Sequence, residues 1–302
     1  MTVILNENTR VLIQGITGGE GSKATKQMLD YGTKVICGVT PGKGGQEVEG
    51  VPVYNSVQEA KQAHPEVNTS ILYVPGKFAK GAAIEAIQNE IETIICITEL
   101  IPILDVIEMI EHAKKHNSRI IGPSTAGIIN PKLKLKLGSI GGSSNAQYTE
   151  GPVGIISKSG GMCSETSLLL KNKGIGVSEV IGIGGDAISG TDFCDLLEKF
   201  ETDEQTKVVV IYGEVGGEYE QKVAEFVKAK KFTKPLVAFV SGAFAENLPN
   251  VSLGHAGAII EGESGTRTAK IKALKDAGIS VANIHHEIVD IVEKILNEEN
   301  HK

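Results

Sequence analysis

Tryptophan is absent from the 302 residues, prolines number only 10, and the four cysteines are scattered. Cys37, Cys96, Cys163 and Cys194 form no Cys-x-x-Cys pair, so neither a disulfide framework nor a zinc site is signalled, and a reducing compartment is expected. No apolar run reaches the ~18 residues that span a bilayer. The N-terminus also lacks the basic-then-apolar pattern of a secretory leader. A cytoplasmic location, or a mature organellar one, with no membrane partner is expected. Positive charge is short as well: 30 Lys and Arg face 37 Asp and Glu, a formal net charge of −7. That balance argues against nucleic acid as the main partner, because backbone binding needs a positive surface. What the chain does have is 36 glycines and 41% hydrophobic residues, which suit an α/β protein with many strand-to-helix turns.

The length fits about two domains. Short β-branched runs at Arg10–Gln14, Lys34–Val39, Ser70–Val74, Thr93–Thr98 and Arg119–Ile121 alternate with helical patterns at Gly21–Tyr31, Val57–Ala63, Ala79–Asn89 and Ile103–His116. Continuous apolar strands separated by crossover helices predict a parallel sheet covered on both faces. A Gly- and Ser-rich stretch over 137–151 reads as a linker, which gives domains at 1–136 and 152–302. The second half repeats the logic with strands near Val153–Ser157, Val177–Ile183, Lys207–Tyr212, Leu236–Val240 and Ile279–Ala282. Two doubly wound units are predicted, with ligands beyond the carboxyl ends of their strands.

Several polar, glycine-rich segments fall at those ends. Gly15-Ile16-Thr17-Gly18-Gly19-Glu20-Gly21 opens a helix whose first amides and dipole favour a phosphate. The next strand ends in Thr40-Pro41-Gly42-Lys43, without the acidic residue that holds a nicotinamide cofactor's ribose, and Lys43 suggests an extra phosphate instead. Coenzyme A carries both a pyrophosphate and a phosphorylated ribose. Ile97-Thr98-Glu99 ends the fourth strand at the same edge.

In the second half, His255 sits in Gly254-His255-Ala256-Gly257, where neighbours this small cannot pack the ring and something large and anionic can approach it. No second histidine or cysteine stands at metal-ligand spacing, so no metal site is expected, and the other six histidines read as surface residues. A neutral imidazole that attacks phosphorus through one nitrogen needs an acceptor for the proton on the other. Glu214, in Gly213-Glu214-Val215-Gly216-Gly217, is the candidate. Donors for the phosphoryl group are expected from the amides of Lys158, Ser159, Gly160 and Gly161 at the start of a helix. The Gly-x-Ser-x-Gly elbow of serine hydrolases is not formed around Ser157 or Ser159.

Taken in order, Gln14-Gly15-Ile16-Thr17-Gly18, Gly38-Val39-Thr40-Pro41-Gly42-Lys43-Gly44-Gly45, Ile97-Thr98-Glu99, Ile183-Gly184-Gly185-Asp186, Gly213-Glu214-Val215-Gly216-Gly217 and Gly254-His255-Ala256-Gly257-Ala258-Ile259-Ile260 resemble the α subunits of succinyl-CoA synthetase, or succinate–CoA ligase, over nearly the whole chain. The resemblance implies a Rossmann-like coenzyme-A-binding domain and a flavodoxin-like ligase domain. It also implies a β subunit of ATP-grasp fold that binds ATP or GTP with Mg2+, a place in the tricarboxylic acid cycle, and a phosphoryl group carried on His255. Coenzyme A contacts are carried over to Thr17, Gly18, Gly19, Glu20, Lys43, Ile97, Thr98 and Glu99.

Three segments depart from the pattern of the succinate enzymes. Gly122-Pro123-Ser124-Thr125-Ala126-Gly127 stands for Gly-Pro-Asn-Cys-Pro-Gly. Ser159-Gly160-Gly161-Met162-Cys163-Ser164-Glu165 puts Ser164 at a substrate position where the family has tyrosine. Ala245 to Leu253 lacks the usual Pro- and Arg-containing stretch. These segments are more similar to the ligase portion of ATP-citrate lyase, so the acid expected is succinate, with citrate or another dicarboxylate as the alternative. The competing class is a noncatalytic CoA-binding or regulatory module.

Overall fold

The computed structural model describes residues 3–142, 146–244, 254–260 and 262–299. The first sheet holds β1 (Val11–Gln14), β2 (Val35–Val39), β3 (Glu47–Val48), β4 (Val51–Tyr54), β5 (Thr69–Leu72), β6 (Thr93–Cys96) and β7 (Arg119–Ile121), in the order β3-β4-β2-β1-β5-β6-β7. All neighbours pair in parallel except the two-residue edge strand β3. Without β3 this is the 3-2-1-4-5-6 order of a dinucleotide-type fold, whose switch point lies between β1 and β5. Strands β1 and β5 are buried along their whole length because helices cover both faces, and this is why they read as apolar runs without alternation.

Helix α1 (Gly19–Tyr31) leaves the end of β1 through a turn in which Gly15 has φ 82°. A Cβ at Gly21 would meet the backbone of Gly15 and Ile16, so the glycines are needed for α1 to start this close to the strand. Helices α2 (Val57–Ala63), α3 (Gly76–Gln88) and α4 (Ile103–Lys115) complete the layers, and α3 packs against α4.

The second sheet is ordered β14-β13-β12-β10-β11-β8-β9 and contains β8 (Gly127–Asn130), β9 (Leu135–Gly138), β10 (Glu150–Ser157), β11 (Val177–Gly182), β12 (Val208–Gly213), β13 (Leu236–Val240) and β14 (Ser280–Val281). Its five parallel strands run 2-1-3-4-5, the flavodoxin-like order, so this switch point lies between β10 and β12. Helices α5 (Gly160–Asn172), α6 (Phe193–Thr202), α7 (Tyr219–Lys228), α8 (Arg267–Asp276) and α9 (Glu287–Glu299) flank it.

The division at 136 with a linker over 137–151 differs from the sheet membership. Residues 127–138 form the antiparallel hairpin β8–β9, and β8 pairs antiparallel with β11, so the chain passes from one sheet to the other between Ile121 and Gly127. The β8–β11 pairing is long-range, and the apolar Gly-Ile-Ile and Leu-Lys-Leu runs of the hairpin are too short to read locally. One apolar cluster runs from Val11 and Ile13 of the first sheet to Ile156 and Ile181 of the second, so the two sheets share a core. The N-terminal segment is held across the same junction, where Ile4 and Leu5 donate their amides to the buried Glu179. Among the described residues no helix is long and apolar enough to cross a membrane.

Candidate active site

At the first switch point a cleft of about 540 Å³ lies between the ends of β1, β2 and β5. Thr17 and Gly18 line it as expected, and the Thr17 hydroxyl donates to Thr40 Oγ1 at 3.2 Å, tying the two turns together. Gly18 caps α1 without a side-chain bond, so the first amides of the helix lack an intrahelical acceptor. Gly19 and Glu20 open the helix on the exposed side of the turn.

Lys43 is exposed on the next turn, whose shape is held by Asn55 Oδ1 accepting the amides of Gly42 and Gly44 at 3.1 and 3.0 Å. Ile97 and Glu99 follow β6 outside this lining, half-buried and exposed respectively. Thr98 is buried, and its hydroxyl donates to Val74 O at 2.8 Å, so it fastens the end of β6 to the end of β5. Tyr73, Val74, Pro75 and Phe78 form an apolar wall that the sequence reading missed. The available signal was their place just beyond β5, the strand beside β1 at the switch point.

At the second switch point four strand ends meet. Lys158 follows β10, Gly184-Gly185-Asp186 follow β11, Glu214 follows β12, and the His255 loop comes after β13. His255 Nδ1 lies 2.6 Å from Glu214 Oε2, and 34% of the imidazole side chain is exposed against 8% for the carboxylate. The other carboxylate oxygen, Oε1, lies 3.2 Å from Lys158 Nζ, at ion-pair distance though not aligned as a hydrogen bond, and the Lys158 side chain is 1% exposed.

Burial pushes the Glu214 carboxyl up. The bond to His255 and the charges of Lys158 and His255 outweigh it, so the net direction is downward and the group is a carboxylate at neutral pH. The hydrogen bond to Glu214 raises the pKa of His255, and although burial and the Lys158 charge pull it back, the net direction is upward. With Nδ1 bonded to the carboxylate, the tautomer that leaves the Nε2 lone pair free is the favoured one.

The surrounding backbone is built to hold this pair. Gly257 donates its amide to Gly185 O at 2.9 Å, joining the histidine loop to the end of β11. Glu214's own amide donates to Glu220 Oε1 at 3.1 Å. Glu220 pairs with the fully buried Lys270, which also donates to Gly216 O at 2.6 Å.

The imidazole rests on Gly185, where a Cβ would fall on ring atoms Cγ and Nδ1. Gly185 does not have positive φ, so alanine there strains the ring and not the backbone. On the expectation that His255 carries a phosphoryl group, Gly185→Ala should slow its phosphorylation by about 100-fold, the effect of a ~1 Å misplacement. Its melting temperature should stay within a few degrees of wild type. Single-turnover labelling beside a thermal melt checks both, and an undiminished rate would mean that the ring does not need this seat.

Of the four amides expected to face a phosphoryl group, two are occupied. Lys158 N donates to Tyr212 O and Ser159 N to Ser157 Oγ, both at 3.1 Å. Gly160 and Gly161 remain, in the first turn of α5, where amides have no intrahelical acceptor. A Cβ at Gly161 would meet nothing within 4 Å, so an anion has room to approach there. Ser164 lies further along α5, with its hydroxyl 2.8 Å from Tyr148 OH.

The segment Gly122–Gly127 bridges the two halves: Ser124 donates to Asp186 Oδ1 at 2.7 Å and Thr125 to Gly182 O at 2.5 Å. The departure at 245–253 lies outside the described residues, as does His301. Two of the histidines read as surface residues are half-buried. His64 meets Tyr54 OH at 3.0 Å, and His285 meets Thr166 Oγ1 at 2.9 Å against the rings of Tyr212 and Phe239.

A cleft at a dinucleotide-type switch point and a carboxylate-paired histidine at a flavodoxin-type sheet edge, in one chain, define the class of CoA ligases. Residues 6–100 match the CoA binding domain family and residues 156–280 the CoA-ligase family. The chain belongs to the family of succinate–CoA ligase [ADP-forming] α subunits. It is 47% identical to subunit alpha 1 from Archaeoglobus fulgidus, over 98% of this chain and 99% of the relative, and 46% identical to the α subunit from Methanothermobacter thermautotrophicus, over 95% of each. Among solved structures, ATP citrate lyase from Methanothrix soehngenii in complex with citrate and coenzyme A aligns with a TM-score of 0.91 at 28% identity. The alignment covers 98% of this chain and 51% of that one, so this chain spans about half the length of the lyase.

Proposed function

We propose that this chain is the phosphoryl-carrying half of a succinate–CoA ligase and works with a β subunit of ATP-grasp fold that supplies ATP or GTP and Mg2+. The observation that carries the proposal is the 2.6 Å pairing of His255 Nδ1 with the buried Glu214 carboxylate.

In the ligase direction, Nε2 of His255 attacks the terminal phosphorus of the nucleotide. An N–P bond forms, the P–O bond breaks, and the electron pair leaves with the nucleoside diphosphate. Nδ1 keeps its proton, and Glu214 stabilises the positive charge that develops on the ring. The amides of Gly160 and Gly161 receive the phosphoryl oxygens. A carboxylate oxygen of the acid then takes the phosphoryl group, giving an acyl phosphate and restoring neutral His255. The thiolate of coenzyme A attacks the acyl carbon and releases phosphate. The nucleotide part of coenzyme A occupies the first cleft, with its phosphates toward Thr17–Glu20 and Lys43, and its thiol arm runs past Ile97–Glu99 toward the Gly122–Gly127 bridge.

Succinate is the acid favoured by the names of the relatives. Citrate is favoured by one observation: Ser164, the smaller side chain, stands where the succinate pattern has tyrosine. Four free thiols, three of them buried, suit a reducing cytoplasm and a tricarboxylic acid cycle role in a heteromer.

The test is acid-labile phosphate on His255 in the complex co-purified with its β partner. Loading with ATP or GTP and Mg2+ is expected, followed by discharge on adding coenzyme A with one acid, which names the substrate. If no phosphate loads under any of these conditions, the chain is a CoA-binding module and the ligase reading is withdrawn.

A further inference from the structure

Lys158 is a buried cation with little around it to explain its charge. Among the described residues its ammonium has one ion-pair partner, Glu214 Oε1 at 3.2 Å, and lies 4.7 Å from the centroid of the Tyr219 ring. Burying an ammonium costs several kcal/mol of hydration, which a methionine of similar length would avoid. What the lysine adds to packing is therefore charge, and that charge is directed at the one carboxylate that orients His255. The three groups form a linear chain, Lys158 to Glu214 Oε1 and Glu214 Oε2 to His255 Nδ1, built from three different strand ends.

The chain answers a conflict inherent in the His255–Glu214 pair. A carboxylate at 2.6 Å in a partly buried site favours the imidazolium, and an imidazolium has no lone pair on Nε2 to attack phosphorus. Asp186, at the end of β11, pushes in the same direction. Among the described residues Lys158 is the cation that opposes both.

We propose that Lys158 is a positioning residue for phosphoryl transfer: by sharing the Glu214 carboxylate it limits how far that carboxylate charges His255, so that more of the ring is neutral and nucleophilic at a given pH while Glu214 still holds the Nδ1 proton. This rests on the reading of His255 as the phosphoryl carrier. The carboxylate is divided between a permanent partner, Lys158, and one that becomes positive only as the N–P bond forms. Glu214 can then stabilise the phosphorylated ring while charging it less beforehand than it would alone.

The experiment uses the complex with the β partner, carrying wild type, Lys158→Met, Lys158→Gln or Lys158→Arg. Two curves are recorded across about pH 5 to 9, the range in which an imidazole titrates. One is the single-turnover rate of His255 phosphorylation by nucleotide with Mg2+. The other is the rate at which diethyl pyrocarbonate modifies the His255 peptide, read by mass spectrometry, which reports the uncharged ring without any catalysis. Lys158→Met and Lys158→Gln should move both midpoints up by about one pH unit, the influence of one nearby charge in a partly screened site. At a pH below both midpoints that shift lowers the phosphorylation rate about 10-fold, and the deficit closes as pH rises. Lys158→Arg should return both curves toward wild type.

Curves that superimpose on wild type, or a rate loss of the same size at every pH, would overturn the proposal, the second outcome marking Lys158 as structural only. Failure of the functional reading looks different: wild type then takes no phosphate, whatever the modification curve does.

Discussion

Exchanging His255 for alanine in the complex with its β partner is expected to abolish the acid-labile phosphate, and Glu214→Gln is expected to lower its rate of formation by about 10³- to 10⁴-fold, the scale measured when an orienting carboxylate is replaced by its amide. The two variants fail for different reasons. Without the imidazole there is no nucleophile.

In the Glu214→Gln chain the nucleophile remains but is misdirected. Lys158 and His255 Nδ1 face opposite carboxylate oxygens, and only an oxygen suits the ammonium, so the amide NH2 of the variant turns to Nδ1. A donor at Nδ1 forces the tautomer with its proton on Nε2, where the lone pair is needed. The shape of the site is kept, so coenzyme A affinity should be unchanged. Rapid-quench labelling with radioactive nucleotide, beside a titration of coenzyme A, measures both. A Glu214→Gln rate within tenfold of wild type would show that the tautomer is set by some other group.

The second large effect is on stability. Lys270 and Glu220 are completely buried, pair with each other, and extend to Gly216 O and to the Glu214 amide. Burial pulls the Lys270 ammonium down in pKa, while the Glu220 charge works to restore it. Lys270→Met strands a buried carboxylate beneath the Gly213–Gly217 turn, and breaking such a pair costs about 3 to 5 kcal/mol. For a domain of this size that is a fall of about 10 °C in melting temperature. Removing both charges together, as Lys270→Met with Glu220→Leu, should recover much of the loss, because no uncompensated charge is left behind. Phosphorylation of His255 should still be impaired in the double variant, since the Glu214 amide has lost its acceptor. Calorimetry of the three chains decides it: equal melting temperatures for the single and double variants would mean the penalty comes from lost packing and not from the stranded charge.

Both predictions involve residues that differ in how far they could be read from the chain. His255 and Glu214 are legible because neighbouring glycines mark them out at strand ends, and two chemically complementary side chains at such ends invite pairing. The Rossmann-like strands are legible for a related reason: a strand buried on both faces, such as Val11–Gln14, is a continuous apolar run, and a glycine turn marks where its helix begins.

Lys158 and Lys270 are not legible in the same way, since a lysine in a local pattern reads as a solvated side chain and only long-range packing can bury it. At Thr98 the position predicts a ligand contact, and only the structure adds that its hydroxyl donates to the neighbouring strand end, Val74 O.

The sequence by itself determined the class of both sheets and the glycine turns at their carboxyl edges, and it singled out His255 and Glu214 as a candidate pair, because these depend on periodicity and on residue types at fixed local offsets. Tertiary structure alone decided that residues 127–138 join the second sheet, that Ser124 and Thr125 bind the first half to the end of β11, and that two lysines stand buried behind the Glu214 turn. The physical reason is range. Strand pairing, burial and charge compensation are fixed by partners tens of residues away, so no local window contains them.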